Sequence, residues 1–256
     1  MKRNLVNKMG VGRHLSRREM LLLTGVTAAS LVMGRHVRGQ SAPGAPAQIP
    51  DKRAMPSCVV RPQQTEGPYF VDEKLKRSDI RFEPSDHSVK EGVPLRLVFR
   101  VSRIEGSACT PLSGAMVDVW QCDALGVYSD VQDINGLFDT RGKKFLRGYQ
   151  ITDASGKVEF VTIYPGWYPG RTVHIHFKIR TDPASPRGHE FTSQLYFDDS
   201  LTDRVHAQAP YATRGQRTLR NAGDRIFQGG GNELILPLAK EAADYAGTFD
   251  IGLQMT

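Results

Sequence analysis

Short runs of alternating apolar and polar side chains recur along this chain and restrict what it can fold into. They are Leu95 to Val101, Val117 to Cys122, Val158 to Ile163, Val173 to Ile179, Phe191 to Phe197, Glu233 to Leu238 and Thr248 to Leu253. A period of two places successive side chains on opposite faces of an extended strand, so each run buries one face against a partner layer. Turn signals such as Asn135-Gly136, Asp153 to Gly156 and Gly229 to Gly231 separate the runs, and no long amphipathic helix pattern interrupts them. The expectation is an all-β protein, an antiparallel β-sandwich in a single domain over residues 58–256. Long surface loops are expected at residues 72–92 and 199–231, which are charged or glycine-bearing.

Charge is informative once it is divided. The chain carries 34 Lys/Arg and 27 Asp/Glu, but eight of the basic and one of the acidic residues fall in the first 40, leaving 26 of each beyond. The basic balance belongs to the leader, and the remaining chain has no net charge with which to bind nucleic acid. Within the leader, Ser16-Arg17-Arg18-Glu19-Met20 opens a modestly apolar run to Met33. That order, basic start then short apolar stretch, is expected of a twin-arginine export signal over residues 1–40, and the apolar stretch is short of the ~20 residues a membrane span needs. Residues 41–57 are rich in Pro and Ala and read as a linker. The expected location is periplasmic or extracellular, with no stable membrane partner beyond export. In an oxidising compartment Cys58 and Cys109 could bridge, adding ~4 kcal/mol by loop closure, with Cys122 left as a buried thiol. Three separate buried thiols is the competing reading.

One run carries unusual chemistry. In Val173 to Arg180, His174 and His176 alternate with Val173, Ile175 and Phe177, so both imidazoles point the same way, off the core face. Upstream, Pro165-Gly166 and Pro169-Gly170 bracket Trp167 and Tyr168 with turns, which holds a phenol beside the strand. A bare His-x-His strand is most simply a polar surface strand. Two imidazoles with a fixed phenol make a mixed nitrogen and hard-oxygen donor set, which suits a hard, highly charged ion such as ferric iron. Such an ion would keep a phenol deprotonated far below its usual pKa of about 10.

At these residues the chain resembles the intradiol ring-cleavage dioxygenases, the catechol and protocatechuate type. The resemblance begins at Gln64 to Phe70 (QTEGPYF) and runs through Gly114 to Tyr128 (GAMVDVWQCDALGVY), Phe145 to Gln150 (FLRGYQ), Tyr164 to Phe177 (YPGWYPGRTVHIHF) and Ser193 to Phe197 (SQLYF). It implies a transthyretin-like sandwich holding non-haem Fe(III), with Tyr128, Tyr168, His174 and His176 as ligands. It further implies that catechol-type aromatics are cleaved with O2 to muconate-type diacids, both oxygen atoms entering the product. Tyr168 would act as ligand and then base. Arg171 and Gln194 would stand beside the substrate, where a fixed guanidinium stabilises developing negative charge. Gly67, Pro68 and Tyr69 would form one wall of the pocket, and Trp167 is a further candidate for contact with the ring.

Two departures bear on substrate. Five residues separate Tyr168 from His174, a shorter loop than the catechol and protocatechuate enzymes lead one to expect, which predicts a more open pocket tolerant of substituted or bulky catechols. The helical amino-terminal segment by which catechol-type enzymes pair is not found, so the oligomeric state is open. Which catechol is preferred, hydroxyquinol and lignin-derived rings included, is also open. The competing function is a non-enzymatic exported β-sandwich that binds a ligand without chemistry.

Overall fold

The protein is described from a computed structural model, which covers residues 59–183 and 188–255. The expected export signal and linker, and Cys58, therefore lie outside the described residues.

Two sheets face one another. In the first, β3 (Met116–Trp120) and β6 (His174–Arg180) are central, flanked by β4 (Arg147–Ile151) and β7 (Glu190–Tyr196), and every pairing is antiparallel. The second is built around β1 (Pro94–Glu105), whose one edge pairs with β5 (Lys157–Ile163) and then with β2 (Ala108–Pro111). Its other edge takes β9 (Asp244–Gln254), followed by β8 (Leu238–Glu241). The expected β-sandwich is thus found, its pairings antiparallel apart from the parallel β1–β9 pairing.

The apolar faces meet in a core where Phe177 of β6 stands 5.2 Å from Phe99 and 5.5 Å from Phe249, ring centre to ring centre. Phe99 and Phe249 are register partners on the opposite sheet, and all three rings are at most 1% exposed. Removing one such ring costs ~3–5 kcal/mol, so β6 is fixed in position by its inner face. Its outer face is then free to carry polar groups.

Two expectations are corrected. Glu233 to Leu238 is not a strand: Gly231–Leu234 forms a 3-10 turn and the strand begins only at Leu238. Residues 199–231 are not simply loop. They hold α1 (Asp199–His206), capped by the Asp198 carboxylate on Leu201 N, and a short helical turn α2 (Arg225–Gln228) capped by Asp224. No helix among the described residues is long and apolar enough to cross a membrane. Cys109 is disulfide-bonded and Cys122 is a free, fully buried thiol.

Candidate metal centre

On the outer face of the first sheet, Trp120, His176 and Gln194 are register partners across β3, β6 and β7, and His174 pairs with Tyr196. This row would be solvent-facing in an open sandwich. It is buried because residues 62–70 lie across it: Gln64 N donates to Thr192 O at 3.0 Å, Gln194 Nε2 to Thr65 O at 2.9 Å and Ser193 Oγ to Pro62 O at 2.8 Å. Gln194 is consequently 0% exposed, whereas glutamine on a strand ordinarily faces water.

The segment fits tightly because residue 67 is glycine. It has φ +73, and a Cβ there would meet His176 Cε1 at 3.3 Å. Trp120 stacks on the same ring, centroids 5.0 Å apart and planes 7° apart. Tyr128 comes in on the loop after β3, which Arg147 anchors by donating from Nε to Ser129 O at 3.1 Å and from Nη1 to Tyr69 O at 2.7 Å.

The four expected ligands converge. Tyr168 Oη and His174 Nε2 are 3.2 Å apart, and His174 Nε2 and His176 Nε2 are 3.0 Å apart. The Tyr128 ring is 5.7 Å from that of Tyr168 and 6.2 Å from that of His176. His174 Nδ1 donates to Thr172 O at 2.6 Å, so its Nε2 presents a lone pair to the centre. Burial, and then the Arg171 charge, hold the His174 pKa well below the usual imidazole value; burial and then His174 do the same for His176. Both rings are thus neutral donors. Burial also raises the Tyr128 pKa well above that of a free phenol and raises Tyr168 to about 12, in the latter case against the pull of Arg171.

These features test whether a cation belongs here. Two nitrogen donors each ~2.1 Å from an ion and at right angles lie ~3.0 Å apart, which is the separation of the two Nε2 atoms. The buried Tyr128 hydroxyl and the buried His176 Nδ1 have no hydrogen-bond partner. An unpartnered buried hydroxyl is costly unless something else meets it. The donor set fits a hard cation. No group of three His, Cys, Asp or Glu that could hold a metal occurs elsewhere among the described residues.

Arg171 lies against this centre, its Nη1 3.4 Å from His174 Nε2 and its Nη2 donating to Gln194 Oε1 at 2.6 Å. Two further residues, which no local sequence signal ties to Arg171, hold it there. Asp224 accepts Arg171 Nε at 2.9 Å and Thr172 N at 2.8 Å, and Asn221 Oδ1 accepts Thr172 Oγ1 at 2.7 Å. Burial disfavours the Arg171 charge, yet Tyr168 and Asp224 outweigh it and hold its pKa above the ordinary value. Tyr196 closes the network, donating to Gln64 Oε1 at 2.7 Å and lying 3.1 Å from Gln194 Oε1.

A cavity of about 390 Å³ opens beside Tyr168 and Arg171, with Pro68, Tyr69, Val127, Phe138 and Arg214 among its lining residues. Tyr168 borders it, while Tyr128 is 0% exposed, so the two phenols are not equivalent. Trp167 is not among the cavity's lining residues; its indole Nε1 donates to Gly215 O at 3.2 Å. Gly67 is also not among the cavity's lining residues, and a Cβ there would meet the His176 ring.

Residues 65–219 match the dioxygenase family. The chain is 32% identical over 164 residues to the protocatechuate 3,4-dioxygenase beta chain of Burkholderia cepacia, covering 57% of this chain and 67% of that one. Its fold is similar to the solved intradiol ring-cleavage dioxygenase of Tetranychus urticae, with a TM-score of 0.64 and 29% identity over 78% of this chain and 95% of that one. It is also similar to the dioxygenase domain of a dioxygenase carbohydrate-binding fusion from Streptomyces sp. SirexAA-E, with a TM-score of 0.54 and 32% identity over 77% of this chain and all of that one. The chain spans between about a third and two thirds of the length of the curated relatives it matches. From the sandwich, the matched family and these likenesses together, the chain belongs to the dioxygenase family and, within it, to the intradiol ring-cleavage dioxygenases.

Proposed function

We propose that this protein is a non-haem Fe(III) enzyme that cleaves a catechol between its two hydroxyl-bearing carbons with O2, yielding a muconate-type diacid. One observation carries the reading: two neutral imidazoles present Nε2 atoms 3.0 Å apart beside two phenols, one of which has a buried hydroxyl with no partner. Tyr128, Tyr168, His174 and His176 would hold the ion. Ferric iron held by them would supply the activation of a bound catechol toward O2.

The protein's own groups divide the remaining work. Tyr168 is the ligand that borders the cavity, so it is the phenolate placed to take a catechol proton, whereas Tyr128 is sealed behind Tyr69 and Tyr168. Arg171, held by Asp224 and Gln194, keeps a fixed positive charge next to the reacting ring and need not reorganise as negative charge develops there. Export belongs to the same proposal. The disulfide at Cys109 supports it, since such bonds persist in oxidising compartments.

The test is the visible spectrum of the iron-loaded protein before and after anaerobic catechol, followed by O2 uptake. A red-brown ferric tyrosinate band that shifts on catechol addition and is lost in Tyr128→Phe and Tyr168→Phe is expected, with one O2 consumed per ring opened. A protein that stays colourless after ferric loading would sink the proposal.

A further inference from the structure

The cavity is larger than a dihydroxybenzene ring requires, and its two arginines are in different states. About 150 Å³ suffices to hold benzene; this cavity is about 390 Å³. Arg171 is committed to Asp224 and Gln194. Arg214 is not committed: only its Nε is used, donating to Trp167 O at 2.9 Å, with the guanidinium 5.0 Å above the Trp167 ring. Its terminal nitrogens have no hydrogen-bond partner, and no carboxylate forms an ion pair with it, among the described residues.

Arg214 is nevertheless seated. It ends the 3-10 turn Tyr211–Arg214, and it packs against Gly126, where a Cβ would meet Trp167 O at 2.2 Å and Arg214 Nε at 3.1 Å. Gly126 thus leaves room for the arginine to reach the Trp167 carbonyl.

The cavity also has an apolar wall from Val127, Ile134, Leu137 and Phe138. Ile134 and Leu137 are 72% and 64% exposed, on a turn that the Asp133 carboxylate fixes by accepting Asn135 N at 2.9 Å, Leu137 N at 3.1 Å and the Tyr69 hydroxyl at 2.5 Å. Large apolar groups held rigid in water beside a cavity mark a ligand surface. Asp133 spends its acceptors within its own turn and on Tyr69, and leaves Arg214 unpaired.

We propose that Arg214 is a specificity-determining residue, recognising a carboxylate at the end of an apolar chain carried by the aromatic ring, with Ile134 and Leu137 covering the chain. The preferred substrate class is then a dihydroxyphenyl alkanoate rather than unsubstituted catechol. This deepens the ring-cleavage reading and rests on it.

The experiment compares kcat/KM for 3-(3,4-dihydroxyphenyl)propanoate and its methyl ester in the iron-loaded wild type, Arg214→Gln and Arg214→Lys. Expected is an advantage of about tenfold for the acid over the ester in the wild type, residing in KM, the scale of one partly solvated charge-assisted contact. That advantage disappears in Arg214→Gln and persists in Arg214→Lys. Equal values for acid and ester in the wild type, or an advantage unchanged in Arg214→Gln, would overturn the inference. If the wild type cleaves neither compound nor catechol, the ring-cleavage reading has failed. The inference is then read separately, by calorimetry of 3-phenylpropanoate against 3-phenylpropanamide on iron-free protein. Binding favouring the acid and lost in Arg214→Gln upholds carboxylate recognition by Arg214 while the substrate class falls with the ring-cleavage reading; equal or absent binding overturns the recognition as well.

Discussion

Asp224 is the residue whose alteration best tests how the site is held. Its carboxylate is 1% exposed and accepts four bonds: Arg171 Nε at 2.9 Å and Thr172 N at 2.8 Å on one oxygen, Ile226 N at 2.8 Å and Phe227 N at 3.3 Å on the other. Asp224→Asn keeps the shape but removes the charge and turns an NH2 group against one of these pairs of donors. The Arg171 side chain, only 15% exposed, then lacks its counter-ion. Removing one partner of a buried ion pair costs ~3–5 kcal/mol, and because the amide keeps one acceptor oxygen the lower end, about 3 kcal/mol, is expected here. Catalytic efficiency should fall by ~10–100-fold, as when the partner that orients an active group is lost. Urea unfolding of the metal-free protein measures the first quantity and O2 uptake with catechol the second. A double-mutant cycle with Arg171→Gln separates the pair from its surroundings. A stability loss under ~1 kcal/mol, with single changes that add to within ~0.5 kcal/mol, would show that Asp224 does not hold Arg171.

Two further perturbations bear on the same centre. His174, His176 and His206 are all held below the usual imidazole pKa, chiefly by burial. Below about pH 6.5 the unfolded chain takes up protons that the folded metal-free protein does not, so their contribution to stability is present above that pH and is lost as pH falls, by up to ~4 kcal/mol per pH unit for three protons. A urea midpoint that stays flat from about pH 7.5 to about 5.5 would contradict this. Gly67→Ala forces a side chain into a backbone at φ +73 and against His176 Cε1 at 3.3 Å; a loss of ~1–2 kcal/mol from strain and a weakened hold on ferric ion are expected, checked by thermal melting and by metal content after dialysis.

The parts legible in the sequence are those with a local signature. Period-two alternation exposes β1, β3, β5, β6, β7 and β9 because each buries one face, and the same alternation aims His174 and His176 to one side. β4 does not stand out as a strand because its Tyr149 and Gln150 are only half-buried and Ile151 is exposed, so the alternation is weak. Glu233 to Leu238 fails in the opposite sense, since its apolar spacing is also satisfied by a 3-10 turn after the Gly229 to Gly231 run. Nearness in sequence to Tyr168 does not reveal that the Trp167 indole is bonded to Gly215 O, 48 residues away. Asp224 and Asn221 are unreadable for the same reason. A carboxylate before Arg225-Ile226-Phe227 reads as a helix cap, and nothing local says that its other oxygen serves an arginine 53 residues upstream.

The parallel seating of β9 has a consequence for assembly. β9 lies between β1 and β8, and Phe249 on it completes the ring cluster beneath Phe177, the residue immediately after His176. The four proposed ligands, residues 128 to 176, therefore leave the ribosome before the strand that seals the floor under them. Until β9 zips alongside β1, a pairing between residues some 150 positions apart, the imidazole strand rests on an unfinished core. Such distant closure is entropically slow. Under the proposed function, a metal at this centre would be expected to be held firmly only once the sandwich has closed.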